Sequence, residues 1–262
     1  MILGIFDSGL GGLTVVRRVR ALLPNVDIVF LADQAHVPYG DRTTDDLAGL
    51  LAQNVAYLAA AGADAIVMGC NTTCAVAAER GWPDVGIPIL DLIDAAAEAV
   101  AVSGARRVGV LATAATTRSG AYGNAIRARD SAIHVEEIAA PRLVPLVEAG
   151  TLSGPLARDA VVDAVAGFSQ IDALVLACTH YPLLDDEFAA VLGTNVARID
   201  PAVSQAERAA AFARVCAGDV GSGATRYLTT GALAPFRRAL EITIGASELD
   251  TIEHISATLA RR

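Results

Sequence analysis

The sequence predicts an α/β protein with two similar α/β domains and mostly parallel sheets, related by a pseudo-twofold, with a cleft between them. Two observations predict it. Short apolar runs alternate with longer helical patterns from end to end, the pattern of strand–helix–strand units. One strand-end pattern also occurs twice: Asp64-Ala65-Ile66-Val67-Met68-Gly69-Cys70-Asn71 parallels Asp172-Ala173-Leu174-Val175-Leu176-Ala177-Cys178-Thr179 at an offset of 108. A weaker pair, Gly4-Ile5-Phe6-Asp7-Ser8 against Gly109-Val110-Leu111-Ala112-Thr113, repeats at 105.

The expected strands are Leu3–Phe6, Asp27–Leu31, Ala65–Gly69, Ile87–Leu90, Val108–Ala112, His134–Ile138, Ala173–Ala177 and Val196–Ile199. Helical patterns between them include Leu13–Leu23, Thr44–Ala61 and Ala202–Cys216. The chain is expected to cross between domains near Asp91–Ala95 and to return near Pro201. The first domain is then discontinuous, 1–94 plus 206–262, and the second is 95–205. In such sheets ligands bind beyond the carboxyl ends of the strands, so the residues after each strand carry the chemistry.

Composition removes several function classes. With 53% apolar residues in 262, a large core can form. No run approaches the roughly 18 apolar residues of a membrane span. The apolar start, Met1–Phe6, is too short for a signal peptide and is interrupted by Asp7; it reads as the first buried strand of a cytoplasmic protein. A net charge of −9 disfavours nucleic acid as a direct partner. All 20 basic residues are Arg. Without Lys there is no Schiff base for pyridoxal phosphate and no ordinary phosphate-binding loop lysine.

Of the four cysteines, Cys70 and Cys178 end the two repeated strands. Two thiols facing each other across a cleft suit inversion of a stereocentre: one removes a proton from one face of a carbon, the other delivers a proton to the opposite face. A thiol with an ordinary pKa of about 8.5 can act either way near neutrality. The small residues before them, Gly69 and Ala177, are expected to let substrate approach the backbone. Two other readings stay open: both thiols buried in the core, or Cys70, Cys74, Cys178 and His180 around a zinc ion, although Cys-x-His is unlike the usual structural spacing. Cys74 is expected to pack inside a helix, and Cys216 to be structural.

The loops add polar groups. Asp7-Ser8-Gly9-Leu10-Gly11-Gly12 lacks dinucleotide-binding spacing; Asp7 and Ser8 suit a substrate ammonium, or a helix cap. Pro38-Tyr39-Gly40 is a turn signal after the second strand. Asn71 and Thr72 stand where a helix should start, ready to hold a carboxylate, with Thr179 as counterpart. His180 is placed to hydrogen-bond the nearby thiol. Nothing in the local sequence selects Glu148.

The run from Gly4 to Val15, together with Pro38-Tyr39-Gly40, Cys70-Asn71-Thr72 and Cys178-Thr179-His180-Tyr181-Pro182-Leu183-Leu184, resembles the bacterial glutamate racemases of the aspartate/glutamate racemase superfamily. Weaker similarity runs through Ala112-Thr113 to Thr116, Ser119, Tyr122, Val144–Glu148 and Leu228–Gly231. The resemblance implies two domains with the active site between them and no cofactor or metal. Cys70 would act on D-glutamate and Cys178 on L-glutamate, with Asp7 and His180 assisting and Glu148 a helper beside His180. Ser8, Pro38, Tyr39, Gly40, Asn71, Thr72, Thr116 and Thr179 would bind substrate. It further implies a homodimer supplying D-glutamate for peptidoglycan. Because the chain begins almost at its first strand, regulation through an N-terminal extension that binds a cell-wall precursor is not expected. Thr73-Cys74, Thr117 and Ala139-Ala140 depart from the usual pattern beside the motifs. An aspartate racemase, and a regulator that keeps the fold without the chemistry, are the alternatives in view.

Overall fold

A computed structural model of the chain describes residues 1–216, 221–245 and 250–257. Among the described residues, ten strands run β1 Ile2–Asp7, β2 Asp27–Ala32, β3 Ala65–Met68, β4 Ile89–Leu90, β5 Arg107–Ala112, β6 His134–Ala139, β7 Ala173–Ala177, β8 Ala197–Ile199, β9 Thr225–Thr229 and β10 Thr251–His254. The helices are α1 Leu13–Leu22, α2 Thr44–Ala60, α3 Asn71–Arg80, α4 Leu92–Ser103, α5 Ala114–Ser119, α6 Ala121–Arg129, α7 Leu143–Glu148, α8 Pro155–Val165, α9 Asp185–Leu192, α10 Pro201–Cys216 and α11 Leu233–Thr243.

All strand pairings are parallel. One sheet has the order β10-β9-β2-β1-β3-β4 and the other β6-β5-β7-β8. The order β2-β1-β3-β4 thus recurs as β6-β5-β7-β8, so the sequence repeat is a repeat of topology. Cys70 and Cys178 follow equivalent strands, β3 and β7. The first sheet is extended by β9 and β10, which the sequence did not predict.

The central strands β1, β3, β5 and β7 are covered by helices on both faces, which explains their near-continuous apolar composition. The helices begin and end on local signals. Thr43 caps α2 by accepting from the N–H of Asp46 at 3.2 Å, with Asp45 and Asp46 in the first turn. Asp91 caps α4 by accepting from Ile93 N–H at 2.8 Å, and Gly104, at φ +78°, closes it in a left-handed conformation.

The chain leaves the first sheet after β4 and returns to it after β8. The connecting helices, α4 and α10, pack on each other, α10 also on α1 and α4 on α6. The expected domain boundaries at 94/95 and 205/206 fall inside these two helices. Among the described residues, no helix is long and apolar enough to cross a membrane.

Candidate active site

The carboxyl ends of β1, β2, β3, β5, β6 and β7 surround one cavity of about 120 Å³. Both thiols are in its wall: Cys70 (3% exposed) from the first sheet and Cys178 (6%) from the second. The lining holds no Arg, so its donors are amides, hydroxyls and His180.

On the Cys70 side, β1 ends in the buried Asp7. Asp7 Oδ2 accepts from the N–H of Gly9 at 3.1 Å and of Gly12 at 2.8 Å. Asp7 therefore shapes the glycine turn as a cap would, from just behind the cavity lining. Burial raises its pKa to about 6, against the opposing pull of His180 and of the N–H groups of Gly9, Gly12 and Ser8. Cys70 Sγ lies 3.5 Å from Ser8 Oγ. Burial, then the charge of Asp7, pushes this thiol up to about 11.

The glycines of the turn are required by close approach. A Cβ on Gly11 would come within 2.3 Å of Thr179 Oγ1, and one on Gly12 within 2.3 Å of Asp7 Cβ. Thr179 reaches across from the second sheet, its hydroxyl 3.4 and 3.5 Å from the two Asp7 oxygens.

On the Cys178 side, the thiol stands 3.7 Å from His180 Nδ1, and His180 Nε2 meets Glu148 Oε1 at 2.6 Å. Burial alone would lower the His180 pKa. The hydrogen bonds and charges of Cys178 and Glu148 outweigh it and hold the imidazole up at about 10.

Between the thiols, Cys70 occupies the N-cap of α3, and the N–H and hydroxyl of Thr73 in the first turn lie against its thiol. Thr72, Thr113 and Thr116 form a hydroxyl cluster across the two halves: Thr72 to Thr113 at 3.1 Å, Thr113 to Thr116 at 3.0 Å, Thr116 to Thr72 at 3.4 Å.

Residues 13–209 match the Asp/Glu/Hydantoin racemase family. The chain is 44% identical over 204 residues to the glutamate racemase of Desulforudis audaxviator, covering 77% of this chain and 75% of that one. It is 35% identical to glutamate racemase 2 of Caldanaerobacter subterraneus subsp. tengcongensis, over 93% of both. It superposes on the crystal structure of glutamate racemase from Francisella tularensis, solved in complex with D-glutamate, with a TM-score of 0.85 over 97% of both chains at 29% identity. The chain belongs to the Asp/Glu/hydantoin racemase family.

For this racemase-family chain, the expected site residues fall into two groups. Ser8, Pro38, Tyr39, Gly40, Cys70, Asn71, Thr72, Cys178, Thr179 and His180 line the cavity. Asp7, Thr116 and Glu148 stand behind that lining and touch it through Thr179, Thr72 and His180. Gly69 does something other than expected. Its missing Cβ would lie 3.0 Å from the Phe6 carbonyl, so the glycine serves the packing of β3 on β1; neither Gly69 nor Ala177 lines the cavity.

Cys74 is fully buried and hydrogen-bonds Asp91. Among the described residues, no three His, Cys, Asp or Glu side chains are grouped to hold a metal. Cys216 is exposed at the end of α10.

Sequence reasoning missed Val37, Asp41, Thr113, Pro141 and Tyr181 in the lining, with Ala114, Ala140, Val144 and Pro145. Thr113 had a signal, because the repeat aligns it with Ser8. It also missed Asp33, a buried carboxylate after β2 that accepts from the hydroxyls of Tyr39 at 2.5 Å and Thr230 at 2.8 Å, and from Asn54 Nδ2 at 3.3 Å. Asp33 holds the Pro38-Tyr39-Gly40 turn against the site. Besides the nearby His36 and Tyr39, its partners Thr230, just past β9, and Asn54 of α2 are far apart in sequence.

Proposed function

We propose that this protein interconverts L- and D-glutamate without a cofactor by a two-thiol mechanism. One observation carries the reading: Cys70 and Cys178, at the ends of equivalent strands in two sheets, line one cavity. In the L-to-D direction the Cys178 thiolate takes the Cα proton, and the Cys70 thiol gives its proton to the opposite face. Cys178 ends as thiol and Cys70 as thiolate, and the reverse reaction exchanges the roles. His180 with Glu148 stabilises charge at Cys178, and Asp7 exchanges protons on the Cys70 side.

With no Arg or Lys in the lining, the substrate carboxylates meet Asn71, Thr72, Thr113 and Thr179, the first two at the start of α3. The relatives named above carry glutamate as their substrate by name, which supports that amino acid here. We extend the reading to a cytoplasmic homodimer that supplies D-glutamate for peptidoglycan. Its two working halves are 1–94 with 206–262, and 95–205.

The test is racemisation followed by circular dichroism with L- and D-glutamate and with both aspartates, in chelator. Turnover of glutamate well above aspartate is expected. Full turnover in Cys70→Ala or Cys178→Ala would sink the mechanism, and turnover of aspartate alone would sink the substrate.

A further inference from the structure

Tyr122 belongs to α6, on the side of the second sheet, yet its hydroxyl donates to Oδ1 of Asn71, the first residue of α3 on the side of the first sheet. The tyrosine is fully buried, and Asn71 is 3% exposed and lines the cavity. Among the described residues this is the only hydrogen bond the phenol makes, and Asn71 Nδ2 makes none. Burial, with the charges of Cys74, Asp91 and Cys178 around it, raises the phenol's pKa well above its ordinary value. It is a neutral donor throughout the range in which the protein works.

An asparagine amide can turn over and exchange its oxygen and nitrogen. Here the two orientations are unequal. With Oδ1 toward Tyr122, the buried phenol proton has its acceptor and the NH2 faces the cavity. In the flipped amide, Nδ2 meets the phenol oxygen and the phenol proton is orphaned in the interior, which is costly. The flipped amide would also present an acceptor to an anionic substrate. In a lining without Arg or Lys, that exchange of donor for acceptor matters more than it would beside a guanidinium.

We propose that Tyr122 is a positioning residue for substrate binding: it locks the Asn71 side chain so that its amide N–H groups point into the cavity toward a substrate carboxylate. The proposal rests on the amino-acid racemase reading for the identity of the carboxylate. The orientation of Asn71 rests on the buried hydrogen bond alone. Asn71 meets a carboxylate in ground state and transition state alike, so its loss should appear in KM rather than kcat.

The experiment is a double-mutant cycle of Tyr122→Phe and Asn71→Ala, read as kcat and KM for L- and D-glutamate. Tyr122→Phe should raise KM about tenfold for both isomers with kcat within about threefold, and should add almost nothing in the Asn71→Ala background. An unchanged KM, or an equal effect in both backgrounds, would overturn the proposal; the second result would mean that Tyr122 only supports the fold. A second measurement needs no activity. The Asn71 side-chain amide, identified in nitrogen-15 spectra by its loss in Asn71→Ala, should shift or broaden in Tyr122→Phe, and an unchanged signal overturns the proposal. If the wild-type protein failed to racemise glutamate, the functional reading would fall while this spectrum still decided the orientation of Asn71.

Discussion

The two halves of the cavity have the same strand order and end equivalent strands in the same residue, yet they surround their thiols with opposite electrostatics. Cys70 has a buried carboxylate, Asp7, in its field, and both groups are pushed toward their protonated forms, to about 11 and about 6. Cys178 has an imidazole held up at about 10, backed by Glu148. A negative charge on Cys178 faces a cation; a negative charge on Cys70 faces a carboxylate. A duplicated scaffold has thus kept its geometry and diverged in charge. The difference puts the cation on the side where the proposed L-to-D reaction starts from a thiolate, and the carboxylate on the side where it starts from a thiol.

The largest effects should come from removing either thiol. Cys70→Ala and Cys178→Ala should each lower racemisation by at least about 10³-fold. The comparison is sharpened in deuterium oxide. Cys70→Ala should still exchange the Cα proton of L-glutamate with solvent through Cys178 without inverting it. Exchange of D-glutamate instead would reverse the assignment of faces.

Next are the groups behind the thiols. L- and D-glutamate are equal in free energy, so kcat/KM must fall equally in both directions for any variant. The asymmetry therefore has to be read from isotope effects. His180→Asn and Asp7→Asn should each lower kcat/KM by about 10²-fold. With His180→Asn, Cα-deuterated L-glutamate should show the larger isotope effect, because abstraction by Cys178 becomes the slower step. Asp7→Asn should show it with the D-isomer. Identical patterns in both variants would mean that the difference between the halves has no kinetic role.

Much of this was legible in the sequence, for reasons that individual residues make plain. Strands β1, β3, β5 and β7 are buried on both faces and so appear as bare apolar runs. Edge strand β10, Thr-Ile-Glu-His, has largely exposed side chains, and β9, Thr-Arg-Tyr-Leu-Thr, mixes an exposed Arg226 with buried threonines; neither leaves a hydrophobic signature. The thiols were legible because duplication wrote them twice. Glu148 was reached only through the family resemblance, since its place beside His180 depends on how α7 packs over the loop after β7. The bonds of Asp7 to Thr179 and of Tyr122 to Asn71 join residues 172 and 51 positions apart. No local pattern marks such pairs.

The same two groups predict how stability depends on pH. Asp7 has a folded pKa raised from 3.8 to about 6. Its contribution is whole below about pH 4 and is lost as pH rises through about 6, on the order of 3 kcal/mol. His180 is raised from 6.5 to about 10, so its contribution is whole below about 6.5 and is lost between there and about pH 10. Urea midpoints should therefore fall in two steps as pH rises. Asp7→Asn should erase the first step and His180→Asn the second. Because the His180 charge lowers the Asp7 pKa, His180→Asn should also move the first step to higher pH. A single step, or no displacement of the first, would show that the two halves do not sense each other.

The smallest effect should come from Glu148→Gln. The amide oxygen of Gln can still accept from His180 Nε2, so the bond at 2.6 Å survives in form and only the charge is lost. Glu148 is 30% exposed against 5% for His180, so water already screens part of that charge. The loss of kcat/KM should be about three- to tenfold, well short of His180→Asn. Its diagnostic is the alkaline limb of the pH–rate profile. Removing the carboxylate lowers the His180 pKa, so the limb should move to lower pH with its height little changed. A limb that stays in place would mean that Cys70 or another group sets it. The cation behind Cys178 would then owe its charge to the thiol alone.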